Sequence, residues 1–346
     1  MKFVAFVLLT LAVKAQAQPP LSRQLDSLMN AFVANTFFSG VVVVADRDST
    51  LYQRAFGLAD RERNVPVAMT TRFNIASIGK TFTAVLIMQL VEEGRLDLHT
   101  PIQAYLSDSI PNADRITIHH LLTHTSGLSN YMTHPDYQNV RSRLRSLSDV
   151  MKLVSDMPLA FSSPGERFEY SNSGYIVLGR IIEQVTGKDY VTYVREKLWQ
   201  PLGMNGTSIA YPAIIRPPSE AIPYYVFSEQ SYVSAIADEN PAFSDGGVFS
   251  NALDMLTFAR ALLSNRLLKR QTIELMFTPY SRMSPAWQYG YGWSVSGDHF
   301  GKRVVGHSGG GLGYSNDLRI LLDDGRIVIV QANLRTSPRK VTESII

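Results

Sequence analysis

Ser39-Gly40-Val41-Val42-Val43-Val44-Ala45 is a short valine-rich run that stops at the turn residues Asp46-Arg47-Asp48. Runs of this length, rich in β-branched residues and bounded by turn formers, read as strands. A second strand, Leu51 to Leu58, follows the turn. Just upstream, Leu21 to Phe37 places Leu25, Leu28, Met29, Phe32 and Val33 at helical spacing and reads as an amphipathic helix. Short strands return only near the other end: Tyr289–Val295, Arg303–Val305, Leu318–Leu322 and Ile327–Ala332, the last two joined by the hairpin turn Asp324-Gly325. Between the two strand-rich ends lie helix candidates at Lys80–Glu93, Ile118–Thr123, Ser148–Val154, Tyr175–Thr186, Tyr190–Leu198 and Leu253–Leu263. The pattern predicts an α+β protein: one sheet built from both ends of the chain, with a mostly helical region inserted into it. Residues 18–76 and 250–346 are assigned to the sheet region and 77–249 to the insertion. A cleft is expected where they meet.

The remaining sequence narrows the class. The 346 residues are 45% hydrophobic and 18% charged, a globular balance. Met1-Lys2, the apolar run Phe3 to Val13 and the Ala15-Gln16-Ala17 site have the plan of a secretory signal, so residues 1–17 are expected to be cleaved and the protein exported, periplasmic or secreted. Cleavage removes two lysines and no acid, which lowers the net charge from +3 to +1. That leaves no electrostatic footprint for nucleic acid or an anionic membrane. With no cysteine there is no disulfide, no thiolate nucleophile and no cysteine-ligated metal. No later segment is long and apolar enough to span a bilayer.

Three short elements carry potential chemistry. In Ser77-Ile78-Gly79-Lys80 a helical pattern runs on from the serine, so Lys80 at i+3 falls on the same face and its amine can reach the hydroxyl. A serine hydroxyl becomes a nucleophile only when a base takes its proton, and a lysine beside other cations or partly desolvated can do so. By itself the motif is weak: Ser337-Pro338-Arg339-Lys340 repeats it, and Ser77 also suits a plain helix cap. Tyr170-Ser171-Asn172 offers a phenol, a second candidate base, and an amide able to bind both substrate and lysine. Tyr137-Gln138-Asn139 and Tyr314-Ser315-Asn316 share that spacing. The third element is Gly306-His307-Ser308-Gly309-Gly310-Gly311, whose glycines allow backbone to approach a ligand or an oxyanion closely.

Two rival chemistries fail on the same residues. Gly306-His307-Ser308-Gly309-Gly310 fits a G-x-S-x-G nucleophile elbow, but a strand rather than a helix follows it and none of the seven histidines lies after Ser308. His120 and His124 are spaced i, i+4, yet residues 121–123 lack the glutamate of a zinc-protease helix, and a structural pair is expected there.

Taken in order, the segments Phe73–Lys80, Gly94–Leu98, Ile118–Leu128, Pro164–Asn172, Leu178-Gly179, Pro201–Met204, Gly246–Ser250, Tyr289–Trp293 and His307–Gly310 resemble the serine β-lactamase and penicillin-binding-protein superfamily. The likeness is nearest to class C β-lactamases, D-alanyl-D-alanine carboxypeptidases and the esterases of that fold, and it covers about residues 21 to 335. It selects Tyr170 among the three Tyr-x-Asn matches. It implies an antiparallel sheet flanked by terminal helices, Ser77 as the acylated residue, Lys80 and Tyr170 sharing proton transfer, and Asn172 holding substrate and lysine. The backbone N–H groups of Ser77 and Gly310 would form the oxyanion hole, with His307, Ser308 and Gly309 on the substrate side. The implied function is a cofactor-free, metal-free serine hydrolase acting on a D-amino-acid peptide, a β-lactam or a small ester; the alternative is a non-catalytic penicillin or peptide receptor on the same scaffold. His307 stands where others have a lysine, which replaces a fixed cation by a group that ionises near pH 6.5. The C-terminal helix is expected to be short, Pro338–Ile346 at most.

Overall fold

The computed structural model describes residues 20–209, 216–228, 231–236, 240–299, 301–335 and 338–346. The expected leader, residues 1–17, and Ser337 of the second Ser-x-x-Lys match lie outside them. Eight strands form one antiparallel sheet: β1 (Gly40–Ala45), β2 (Thr50–Phe56), β3 (Ser281–Arg282), β4 (Gln288–Tyr289), β5 (Ser294–His299), β6 (Lys302–Gly311), β7 (Tyr314–Leu321) and β8 (Arg326–Ala332), in the order β2-β1-β8-β7-β6-β5-β4-β3. The valine run is the central example of why it holds. β1 pairs with β2 on one side and β8 on the other, and all six of its residues are buried. Side chains alternate across a strand, so Val42 and Val44 pack with Leu25 and Met29 of the N-terminal helix α1 (Leu21–Thr36) and Val341 of the C-terminal helix. Val41 and Val43 face the main core instead. The fold is therefore α+β, with terminal helices on the outer face of the sheet and the larger helical region on the inner one. The short terminal helix is present as Pro338–Ile345.

Three sequence assignments change. Tyr289–Val295 is not one strand: β4 and β5 are separated by a turn in which Gly290 N–H donates to Trp293 O at 2.8 Å. Gly292 takes φ +81°, and a Cβ there would come 2.4 Å from Ala84 Cβ, so the turn is pressed against the helix behind Ser77 and admits only glycine. Conversely, the glycine-rich stretch after Arg303–Val305 is strand, because β6 continues through Gly311 paired with β7. Leu51–Leu58 breaks at Gly57, φ +71°.

Among the described residues no helix is long and apolar enough to cross a membrane.

Candidate active site

Ser77 sits on a 3-10 turn, Ala76–Gly79, and helix α2 (Lys80–Glu92) begins one residue after that turn. The helix candidate Lys80–Glu93 is met to within one residue, and Ser77 lies in the short turn that leads into it. The chain enters along Phe73–Asn74, which pairs with Phe249–Ser250. Ala76 then adopts φ +46°, a left-handed conformation that a residue with a Cβ holds only when its surroundings fix it. Those surroundings are specific. Ala76 N–H donates to Asn74 Oδ1 at 3.0 Å, and Asn316 Nδ2 of β7 donates to Asn74 O at 2.9 Å. A Cβ on Gly309 would lie 2.0 Å from Ile75 O, and one on Gly246 2.6 Å from Ala76 O. The glycines let two backbones clamp the turn that carries Ser77.

Lys80 is fully buried. Its Nζ donates to Ser77 Oγ at 3.1 Å, Asn172 Oδ1 at 2.7 Å and the backbone carbonyl of Asp245 at 2.5 Å. The rings of Tyr170 and Tyr175 lie 5.1 and 5.5 Å from the same nitrogen. Asn172 opens the helix Asn172–Thr186. The residue before it, Ser171, donates its N–H to His124 Nδ1 at 3.2 Å, which places that imidazole's proton on Nε2. Tyr170 lies over the His124 ring, 4.3 Å between centroids. His124 takes φ +55° and turns inward where the helix Ile118–Leu122 has already ended. His120 stays near the surface, bonded to Thr117, so the two do not share a face. Burial, with Lys80 and His307 nearby, pushes the His124 pKa well below its ordinary value.

Two cavities meet at Ser77. One, about 90 Å³, is lined by Ser77, Asn172, Asp245, Gly246, Gly310 and Tyr314 among others. The second, about 200 Å³, is lined by Ser77, Tyr170, Trp287, Tyr289, His307, Ser308, Arg319 and Arg339 with two further residues. The wall between them is β6, which pairs with β5 only as far as Gly306 and leaves the edge from His307 to Gly311 open on that side. Ser77, Lys80, Tyr170, Asn172, His307, Ser308 and Gly310 are thus brought together. Gly309 lines neither cavity; it is buried under Ile75.

A family model described as Beta-lactamase matches residues 25–344. The chain belongs to the β-lactamase family. Penicillin-binding protein 4* of Bacillus subtilis is 29% identical over 327 residues, a match spanning 90% of this chain and 71% of that protein. The crystal structure of a penicillin-binding protein from Bacillus halodurans superposes with a TM-score of 0.84 at 31% identity, covering 93% of this chain and 98% of that one. A D-stereospecific amidohydrolase from Streptomyces sp. superposes with a TM-score of 0.79 at 27% identity, covering 94% and 98%. The protein is a serine hydrolase of this β-lactamase-related superfamily.

The β-lactamase-family site surrounds His307 and Ser308 with Asp317 and Arg319 and adds Asp245, three residues that the sequence did not single out. His307 is buried; its Nδ1–H donates to Ser308 O at 2.7 Å, so Nε2 is free to accept the Tyr289 hydroxyl at 2.8 Å. Desolvation, with Lys80 and Arg319 adding to it, drives the His307 pKa down to about 3. The ring is a neutral strut, not the part-time cation its sequence position suggested. The Ser308 hydroxyl donates to Asp317 Oδ1 at 2.7 Å and accepts from Arg319 Nη2 at 2.9 Å, so no imidazole activates it and the elbow reading fails in space as well. Asp245, 4% exposed, accepts the Tyr131 hydroxyl on Oδ2 at 3.1 Å. Its only sequence signal was its place directly before Gly246-Gly247. Among the described residues no cluster of side chains has the makings of a metal site.

Proposed function

We propose that this is an exported hydrolase in which Ser77 forms the acyl-enzyme on small esters or D-aminoacyl amides whose acyl part carries no free carboxylate. The observation that carries the reading is the Lys80 amine 3.1 Å from the Ser77 hydroxyl, in a fully buried position at the base of the cleft. In the acylation step Ser77 Oγ bonds to the substrate carbonyl carbon while its proton passes to the Lys80 and Tyr170 pair. The carbonyl oxygen turns toward the backbone N–H groups of Ser77 and Gly310. Collapse expels the leaving group, which takes up the proton, and water then cleaves the ester to Ser77. Asn172 holds the lysine and the substrate amide, and Ser308 with the Gly310 edge lines the acyl group. Residues 18–76 with 250–346, and the insertion 77–249, act as the two walls of one catalytic unit, freed by cleavage after residue 17.

The substrate preference follows from charge. Both arginines that line the larger cavity already have carboxylates: Arg319 pairs with Asp317 at 2.8 Å and Arg339 with Glu343 at 2.8 Å. His307 is neutral. A β-lactam or a peptide C-terminus would bring a carboxylate to a wall with no spare cation among the described residues, and desolvating it there is unfavourable. The name of the Streptomyces neighbour agrees with amide cleavage on the D side.

The test is a panel of p-nitrophenyl acetate, p-nitrophenyl butyrate, D-alanine p-nitroanilide and nitrocefin, run on the wild type and on Ser77→Ala. The esters or the anilide are turned over faster than nitrocefin, and Ser77→Ala loses at least ~10³-fold, the scale of removing a nucleophile. Activity retained in Ser77→Ala refutes the reading. Absence of turnover and of fluorophosphonate labelling in the wild type favours a receptor instead.

A further inference from the structure

The larger of the two cavities that meet at Ser77 has hydrocarbon from Met283, Trp287, Tyr289 and Tyr170 in its wall. Its polar lining is already hydrogen-bonded within the protein. Ser294 Oγ donates to Gly306 O at 2.6 Å and accepts from Arg319 Nη1 at 2.9 Å. Ser308 bonds to Asp317 and Arg319, the Tyr289 hydroxyl to His307, and Arg339 to Glu343. A hydrocarbon chain that enters this space leaves water without breaking any of these bonds. A polar group that enters gives up its hydration for little in return. Ser77 lies beside the Gly309 end of β6, where Gly309 is pressed on Ile75. Trp287 packs instead on Val304, towards the other end of that strand, and on Leu321. The indole is 3% exposed, and the Arg319 and Arg339 guanidiniums lie over its ring, 4.7 and 5.5 Å from the centroid. Its loop is closed on itself: the Trp287 carbonyl accepts from Met283 N–H at 3.0 Å and Ser284 N–H at 2.8 Å, and Trp287 N–H donates to Ser284 Oγ at 3.2 Å. An indole held in this way is a fixed stop for whatever extends from Ser77 along β6.

We infer that this cavity is the subsite for the hydrocarbon chain of a short, unbranched acyl group, and that Trp287 sets the longest chain admitted. The inference deepens the reading of Ser77 as the acylated residue and rests on it. The cavity, about 200 Å³, is smaller than the ~300–1,000 Å³ of pockets that take drug-sized ligands. At roughly 30 Å³ for a group the size of a water molecule it holds about six of them, so acyl chains of about four to six carbons fill it and one of about eight runs into the indole.

The experiment measures kcat/KM for p-nitrophenyl acetate, butyrate, hexanoate and octanoate, and separately for the butyrate esters of ethanol, butanol and hexanol, in the wild type, Trp287→Ala and Trp287→Phe. In the wild type the value rises by about fourfold for each methylene while the acyl chain is being buried. It falls by at least ~10-fold once the chain meets the indole. In Trp287→Ala the ratio of octanoate to butyrate rises by about 10-fold or more, because the space behind the stop is opened. Trp287→Phe moves the ratio in the same direction by less. The alcohol series keeps its wild-type ratios in both variants. An unchanged ratio of octanoate to butyrate overturns the inference, and so does a shift that follows the alcohol rather than the acyl chain. Should the alanine variant fail to fold, Trp287→Phe decides alone, since phenylalanine keeps a ring beneath Arg319 and Arg339. Ser77→Ala tells the two claims apart. Turnover that survives in it refutes the catalytic reading; turnover lost there, with acyl ratios that Trp287 does not move, refutes the subsite alone.

Discussion

Lys80 and His307, on the two walls that flank Ser77, are both buried but have different surroundings. On one, Lys80 lies at full depth with three oxygens on its nitrogen. On the other, His307 is held by a donor and an acceptor that together fit one neutral tautomer, and the arginine beneath it is already tied to Asp317. Desolvation is the first cause of the neutral His307, while the Lys80 nitrogen at similar depth is met by acceptors alone. On the reading proposed above, the first wall carries the proton transfer and the second, where His307 is neutral, shapes the acyl pocket. On that reading the division favours uncharged acyl groups over carboxylate-bearing substrates.

The contrast breaks most sharply if His307 is made cationic. In His307→Lys a new ammonium enters a 5%-exposed position next to Lys80 and Arg319, and Asp317 is already taken. The expected loss of stability is about 3 kcal/mol or more, the scale of an uncompensated buried charge, read from urea unfolding at pH 7. A variant as stable as the wild type that also gains nitrocefin turnover would show that the acyl wall tolerates charge after all. Next in size is Gly309→Ala. The added Cβ meets Ile75 O at 2.0 Å and must displace the turn that carries Ser77. Misplacing a reacting group by about 1 Å costs roughly 10²-fold, so kcat for p-nitrophenyl acetate falls by that order while KM changes little. A wild-type kcat would mean that the β6 backbone does not fix the nucleophile.

Much of this was legible in the chain. The valine run and the strands near the C-terminus announced a sheet made from both ends, because alternation and turn residues are local signals. The Ser77 and Lys80 spacing worked for the same reason: three residues of helical or 3-10 backbone put both groups on one side. The failures share a cause. Gly306–Gly311 has poor strand propensity, yet it pairs with β7 because Ile75 and Ala76 must cross it without side chains in the way. Tyr289–Val295 looks like a strand but turns, since Gly292 meets Ala84 of a helix two hundred residues earlier. His124 has the right spacing from His120 and the wrong conformation, because its helix stops two residues before it. Asp245 carries no periodic signal. For Gly306–Gly311 and for Gly292 a partner distant in sequence sets the outcome, and no local pattern reports it.

The neutral state of His307 also has a thermodynamic signature. Its pKa falls from 6.5 to about 3 on folding, so between those values the unfolded chain binds more protons. Stability from this residue is fully present above about pH 6.5 and is lost as the pH falls toward 3, at up to about 1.4 kcal/mol per pH unit. In urea unfolding between pH 6 and pH 4.5, His307→Asn should show a shallower dependence than the wild type by about that slope. Parallel curves would mean that the ring is charged in the native state and that the two walls do not differ as described.

The smallest effect sharpens the boundary between pocket wall and chemistry. Ser308→Ala removes a hydroxyl that donates to Asp317 and accepts from Arg319, but it leaves those two side chains joined directly at 2.8 Å. The cost is that of one ordinary hydrogen bond, about 1 kcal/mol of stability. Activity toward p-nitrophenyl acetate should change by less than about tenfold, since in the proposed mechanism the hydroxyl borders the acyl group and exchanges no proton with it. A loss matching that of Ser77→Ala would instead make Ser308 part of the proton-transfer machinery, and the line drawn between the two walls would then run on the wrong side of β6.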